Sequence, residues 1–103
     1  MTTIKELQAR AYRVAADHGF HDTDRDFGAI LMLMVSELAE AYEAYRNNIK
    51  TSEHGFPAIS EELADVVIRV LDTAEAMGID LEDIIMKKMD YNETRPHMHG
   101  KRC

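Results

Sequence analysis

The sequence predicts a single all-α domain built from four helices, and three observations lead to this prediction. A chain of 103 residues has room for one domain. Its 46% apolar and 30% charged residues are typical of a globular protein. Apolar side chains recur every three or four residues in four separate stretches, and no alternating strand pattern of useful length occurs. The two middle helices have the most complete apolar stripes, so we expect them to be central and antiparallel.

The first two helices are predicted from apolar spacing and from the residues at their ends. The first covers roughly Thr3–His18, with Gly19 as its stop. The second begins near Asp26 and runs to about Tyr45. Its apolar residues nearly encircle it over 29–35, which is typical of a buried helix. A chain this short cannot cover so much apolar surface alone, so we expect an obligate oligomer.

The third helix follows a loop over Lys50–Phe56 and ends at Gly78. Two starting points are open. Pro57 suits the first position of a helix, in which case Ser60 lies inside it. Alternatively, Ser60 is itself the N-cap.

The fourth helix is predicted to begin after Asp80, which acts as its N-cap, and to end at Arg95-Pro96. The last nine residues, 95–103, contain three Lys or Arg residues, two His residues and no acid. We therefore expect a single domain over 1–103 whose end, 95–103, is a basic, mobile tail.

Charge and cysteine content exclude several classes of protein. The net charge of −7 argues against a partner that is a nucleic-acid polymer, since such binding needs a basic face. The longest apolar run, 29–35, is far too short to span a membrane, and the N-terminus lacks the apolar segment of a signal peptide. The single cysteine, Cys103, allows no internal disulfide or cysteine zinc site. A reducing, cytoplasmic location is therefore expected.

Two carboxylate pairs are candidates for a metal site. Glu37/Glu40 and Glu62/Asp65 each place two carboxylates one helical turn apart, about 5–6 Å between Cβ atoms, a spacing that suits Mg²⁺. The sequence holds six such acidic pairs, so the spacing alone has little weight, and a solvated surface is the alternative. Glu37/Glu40 and Glu62/Asp65 differ from the other four pairs because they interrupt the apolar faces of the two central helices. If those helices pack together, four carboxylates converge, and a cation relieves their repulsion.

A second candidate group lies on the fourth helix. Lys88, Asn92 and Arg95 are spaced at i, i+4 and i+7, so they share one face of the helix. They could contact a polyphosphate held by metal ions. The alternative is that cations here, Lys87 among them, only complement the negative end of the helix dipole.

The remaining polar residues give weaker signals. Arg69 could pair with Asp65 or Asp72 in a surface ion pair on the third helix. Three histidines have no acidic or histidine partner at a metal-ligand spacing: His18, His21 and His54.

The acidic motifs resemble those of a known family. The segments Ser36–Ala41 (Ser-Glu-Leu-Ala-Glu-Ala) and Glu61–Asp72 are similar to the MazG-like all-α nucleoside triphosphate pyrophosphohydrolases, which carry Glu-x-x-Glu and Glu-x-x-Asp on two central helices. Lys88–Pro96 and His99–Lys101 resemble the C-terminal signature of single-domain members. The resemblance covers roughly Phe27–Arg102, most of the chain.

This resemblance implies a fold, a reaction and a set of site residues. The fold is a four-helix MazG-like bundle. The reaction is Mg²⁺-dependent hydrolysis of a (deoxy)nucleoside triphosphate between its α and β phosphates, with Mn²⁺ as a possible substitute, in a homodimer or homotetramer. By motif position the metal ligands are Glu37, Glu40, Glu62 and Asp65. The phosphate contacts are Lys88, Asn92 and Arg95.

Some questions stay open at the level of the sequence. Either Glu37 or Glu40 could orient or deprotonate the attacking water. Phosphoribosyl-ATP pyrophosphohydrolase, which shares the fold, is the nearest alternative activity. A non-catalytic helical module that binds a metal or a partner is the alternative of a different class.

Overall fold

In a computed structural model, which describes residues 1–102, the chain forms four α-helices and one short 3₁₀ turn. The helices are α1 (Ile4–Asp17), α2 (Phe27–Arg46), α3 (Ala58–Ala76) and α4 (Leu81–Glu93), and the turn is His97–Gly100. Residues 1–102 contain no strand beyond one isolated bridge, and none of their helices is long and apolar enough to cross a membrane. The all-α fold class is confirmed. Cys103 lies outside the described residues, so the expectations placed on it remain predictions.

Local capping contacts explain where α1 begins and ends. Thr3 and Glu6 form a reciprocal capping box: the Glu6 N–H donates to Thr3 Oγ1 at 3.1 Å, and the Thr3 N–H donates to Glu6 Oε1 at 3.0 Å. After the C-cap residue His18, the chain reverses at Gly19, whose φ of +85° suits glycine. The predicted bounds of this helix are confirmed to within one residue.

The starts of the other three helices show which capping predictions were right. Asp26 caps α2 through the Ala29 N–H at 2.9 Å, and Asp80 caps α4 through the Asp83 N–H at 3.1 Å. For α3 the N-cap is Pro57 and the first helical residue is Ala58, so the helix starts one residue after the predicted first position. Ser60 lies inside the helix, so the alternative in which it caps α3 is wrong.

The helices contact one another in the order α2–α3–α1–α4. Helix α3 packs against α2 and α1, and α4 packs against α1. Glu37 on α2 contacts Arg69 on α3, whereas Glu40, later in α2, lies beside Glu62, earlier in α3. The two helices that carry the acidic motifs are therefore antiparallel, as predicted.

In the single chain the central position belongs to α3, and α2 lies at the edge. The buried residues of α2 are Ala41 and Ala44, both small. Within residues 1–102, much of the rest of α2 stays exposed, and the main helix contact of α4 is with α1. The exposed large apolar residues of α2 are Phe27, Leu31, Met32, Val35, Leu38, Tyr42 and Tyr45. Within residues 1–102, α2 thus exposes a large apolar surface, and the expected oligomer stays a prediction.

One buried polar side chain fastens α1 to the end of α3. Gln8 is 5% exposed, and its Nε2 donates to Glu75 Oε1 at 3.0 Å and to the Ile79 carbonyl oxygen at 2.6 Å. Each acceptor loses its partner if Gln8 is truncated.

Gln8→Ala is expected to lower the free energy of unfolding by about 1–3 kcal/mol, because it leaves both acceptors unpaired in a partly buried position. The measurement is urea denaturation followed by circular dichroism. Arg13→Ala, at an exposed position of the same helix, is the control and should change stability little. Equal stability of the two variants would contradict the role given to Gln8.

Candidate functional site

Three of the four predicted metal ligands converge where α2 packs against α3. Glu37 and Glu40 lie one turn apart on α2, and Glu62 faces them from α3. One carboxylate oxygen from each residue lies within 4.8 Å of the other two. These three residues are called the carboxylate cluster below.

The carboxylate cluster places negative charge in a partly buried position. Burial raises the pKa of Glu62, and the adjacent Glu40 carboxyl raises it further. Glu62 Oε2 is buried and has no hydrogen-bond partner among residues 1–102. An unpaired buried carboxylate oxygen is costly, and so is the repulsion between the three groups. The carboxylate cluster offers closely spaced ligands that are all oxygen atoms. Such a ligand set fits a hard divalent cation such as Mg²⁺ or Mn²⁺.

Asp65, the fourth predicted ligand, borders the carboxylate cluster without joining it. It lies one turn beyond Glu62 on α3 and is half-buried. Its pKa is raised by burial and then by the negative charges of Glu37 and Glu61. Asp65 and Glu37 also line the same groove between α1 and α3. Its role as a ligand therefore stays a prediction.

Arg69 is a site residue that sequence reasoning placed wrongly. Its Nε donates to Glu37 Oε1 at 2.7 Å, with the two side chains 36% and 13% exposed. Arg69 was expected to pair with Asp65 or Asp72 on its own helix. Its hydrogen bond instead crosses from α3 to α2 and reaches the carboxylate cluster. The sequence does contain a signal for placing Arg69 at the site. Glu62, Asp65 and Arg69 are spaced at i, i+3 and i+7, so they share one face of α3.

Two histidines also have acidic partners that sequence spacing did not reveal. His21 Nε2 lies 2.7 Å from Asp72 Oδ1, and the His21 ring stacks on Tyr12 with 4.5 Å between ring centroids. His54 Nδ1 lies 2.7 Å from Glu61 Oε1. The first pair is separated by 51 residues in the sequence, so no local motif could have found it.

The His54–Glu61 pair anchors the loop before α3 next to the carboxylate cluster. Hydrogen bonds from Ser52 and His54 lower the pKa of Glu61, and the hydrogen bond to Glu61 raises the pKa of His54. Because Glu61 precedes Glu62 in the first turn of α3, these contacts hold the loop at the end of the helix that presents Glu62.

Arg69, which contacts Glu37 of the carboxylate cluster, lines two cavities. The smaller, about 320 Å³, lies between the start of α2 and the end of α3, a volume within the range of small-molecule sites. Its walls include the Tyr12–His21 stack, Phe27 and Asp72. The larger groove, about 700 Å³, lies between α1 and α3 and reaches Glu37.

Among residues 1–102, the predicted phosphate contacts on α4 form no hydrogen bond or ion pair with the carboxylate cluster. Lys88 and Arg95 flank the Tyr91 ring, with Lys88 Nζ at 4.8 Å and Arg95 Cζ at 5.5 Å from its centroid. Asn92 Oδ1 is buried and lacks a partner in the described part of the chain. The main helix contact of α4 is with α1, whereas the carboxylate cluster lies on α2 and α3.

Comparisons with known proteins found a matching family and a relative. Residues 26–99 match a family described as MazG nucleotide pyrophosphohydrolase domain, a segment that contains all seven predicted site residues. Mouse (Mus musculus) dCTP pyrophosphatase 1 is 26% identical over 107 aligned positions, which cover 97% of this chain and 62% of that protein. The chain therefore spans about three-fifths of the length of this relative. No solved structure matches significantly.

Proposed function

This chain belongs to the MazG nucleotide pyrophosphohydrolase family, and on that premise we propose that it hydrolyses a (deoxy)nucleoside triphosphate between the α and β phosphates. The products are a nucleoside monophosphate and pyrophosphate. The observation that carries the proposal is the carboxylate cluster, with oxygens within 4.8 Å of one another and one buried oxygen that has no hydrogen-bond partner among residues 1–102. The name of the mouse relative makes dCTP the first substrate to test.

The carboxylate cluster is proposed to hold Mg²⁺, for which Mn²⁺ can substitute, with Asp65 as a further ligand. When bound, such an ion neutralises phosphate oxygens and lowers the pKa of a coordinated water. Its charge also offsets the repulsion that the carboxylates otherwise exert on the phosphates. A protein with a net charge of −7 can therefore bind an anionic substrate.

The protein's own groups position the substrate and accept the proton. Glu37 or Glu40 accepts the proton of the attacking water, and the Arg69 Nε–H fixes the orientation of Glu37. We infer that the pocket of about 320 Å³ receives the nucleoside, because aromatic faces and the His21–Asp72 pair line it beside the carboxylate cluster.

A homodimer or homotetramer is proposed to complete the site. An interface between subunits would bury the exposed apolar surface of α2. A metal ion neutralises only part of a triphosphate, so cations on the leaving pyrophosphate stabilise the transition state. Lys88, Asn92 and Arg95 form no hydrogen bond or ion pair with the carboxylate cluster of their own chain within residues 1–102, so we propose that they reach the carboxylate cluster of a second copy.

A pyrophosphate-release assay over a panel of nucleotides, with Mg²⁺ titrated, tests the proposed activity. We expect metal-dependent release from at least one (deoxy)nucleoside triphosphate and none after chelation with EDTA. Preference for phosphoribosyl-ATP supports the alternative enzyme of the same fold. Absence of release from every nucleotide at saturating Mg²⁺ and Mn²⁺ favours the non-catalytic module and contradicts the proposal.

A further inference from the structure

Arg69 uses only part of its hydrogen-bonding capacity. An arginine offers five N–H donors, and the Arg69 Nε–H is bonded to Glu37 Oε1 at 2.7 Å. Among residues 1–102, its two Nη groups donate no hydrogen bond. The side chain is 36% exposed and stands between the carboxylate cluster and the pocket of about 320 Å³.

A guanidinium in this position is unfavourable for a site that only binds metal. Arg69 and a divalent cation compete for the charge of Glu37, so the ion pair weakens metal binding. Because the hydrogen bond to Glu37 is made by Nε, the end of the guanidinium formed by the two Nη groups is left available to another acceptor. Such a planar fork binds the oxygens of a phosphate group in a geometry that a lysine ammonium cannot reproduce.

We propose that Arg69 is a substrate-binding residue of this site. Its Nε–H orients Glu37, and its Nη groups donate to a phosphate of a polyphosphate ligand that lies between the carboxylate cluster and the adjoining pocket. This inference rests on the proposed function for the identity of the ligand, and it assigns a cation from the same chain to the phosphates, in addition to those of α4.

Isothermal titration calorimetry on Arg69→Gln and Arg69→Lys separates phosphate binding from metal binding. The probes are Mg²⁺ alone, inorganic tripolyphosphate in the presence of Mg²⁺, and deoxycytidine, which carries no phosphate. Arg46→Gln is the matched control, because Arg46 forms an ion pair with Glu43 at 3.3 Å on the exposed part of α2, outside the carboxylate cluster.

For Arg69→Gln we expect tripolyphosphate affinity to fall about 10–100-fold, the effect of losing charge-assisted hydrogen bonds. Mg²⁺ affinity should be unchanged or higher, because a competing cation is gone, and deoxycytidine affinity should be unchanged. Arg69→Lys keeps a charge near Glu37, which protects folding, but should still lose about tenfold in tripolyphosphate affinity. Arg46→Gln should match the wild type with all three probes.

Two results would overturn this assignment. Tripolyphosphate affinity within twofold of the wild type in both Arg69 variants would remove the phosphate contact. A parallel loss of Mg²⁺ and tripolyphosphate affinity would mean that Arg69 only positions Glu37. If the wild type cleaves no nucleotide but the calorimetry follows the expectation, the proposed function fails and the phosphate site stands.

Discussion

Glu40→Gln is expected to reduce metal-dependent turnover at least about 100-fold while leaving the metal-free fold intact or more stable. A metal ion contributes several kcal/mol to the stabilisation of the transition state, and tenfold in rate corresponds to about 1.4 kcal/mol. Replacing one carboxylate of the cluster by an amide also removes part of the repulsion around Glu62, whose buried Oε2 has no hydrogen-bond partner in the described part of the chain. The measurements are kcat at saturating Mg²⁺ and thermal unfolding in EDTA.

Glu43→Gln is the matched control for this substitution. Glu43 lies one turn beyond Glu40 on α2, is 56% exposed and pairs with Arg46 at 3.3 Å. Its turnover should equal that of the wild type. Asp65→Asn extends the test to the fourth predicted ligand and should cause a loss like that of Glu40→Gln. Near-wild-type activity of Glu40→Gln at saturating Mg²⁺ would show that the metal site is assigned wrongly.

Mixing two inactive variants is expected to restore activity if Lys88 acts on the carboxylate cluster of a second copy. Glu62→Gln lacks a carboxylate, and Lys88→Ala lacks the cation. In a dimer, random exchange makes half of the dimers mixed, and each mixed dimer has one intact site out of two, so about a quarter of wild-type activity returns. The measurement is turnover after co-refolding the variants at equal concentration, with light scattering to confirm the dimer.

The control mixture combines Glu62→Gln with Glu40→Gln. Both substitutions damage the carboxylate cluster, so a mixed dimer has no intact cluster and no activity should return. Absence of recovery with Lys88→Ala, in samples that light scattering shows to be dimers, would place Lys88 at the site of its own chain. A monomer mass at micromolar concentration would contradict the oligomer itself. Normal kinetics of Lys88→Ala with a reduced melting temperature would leave only a dipole interaction of about 0.3–1 kcal/mol.

The helices could be predicted because their signals are local. Apolar spacing of three and four residues marks each helix, and capping by Asp26 and Asp80 depends on residues three positions away. The place of α2 could not be obtained in this way. Its apolar residues predict burial, but the sequence does not say whether the cover comes from the same chain. In the structure α1 covers α3, and α2 remains open.

In the candidate site, too, features set by local spacing could be predicted from the sequence and contacts between distant segments could not. Glu37 and Glu40 share a face one turn apart, so their convergence with Glu62 follows once α2 and α3 pack together. No sequence pattern indicates the contacts between distant segments. The Arg69–Glu37 bond joins residues 32 positions apart, and which acid an arginine meets depends on how the helices are rotated.

The most direct test of the central claim, that the carboxylates of α2 and α3 support metal-dependent cleavage between the α and β phosphates, is ³¹P nuclear magnetic resonance of the reaction. dCTP is incubated with the protein and Mg²⁺, and a second sample contains EDTA. We predict that the monophosphate and pyrophosphate signals grow together, and only in the sample with Mg²⁺. Formation of diphosphate and orthophosphate, or equal rates in EDTA, would contradict the claim.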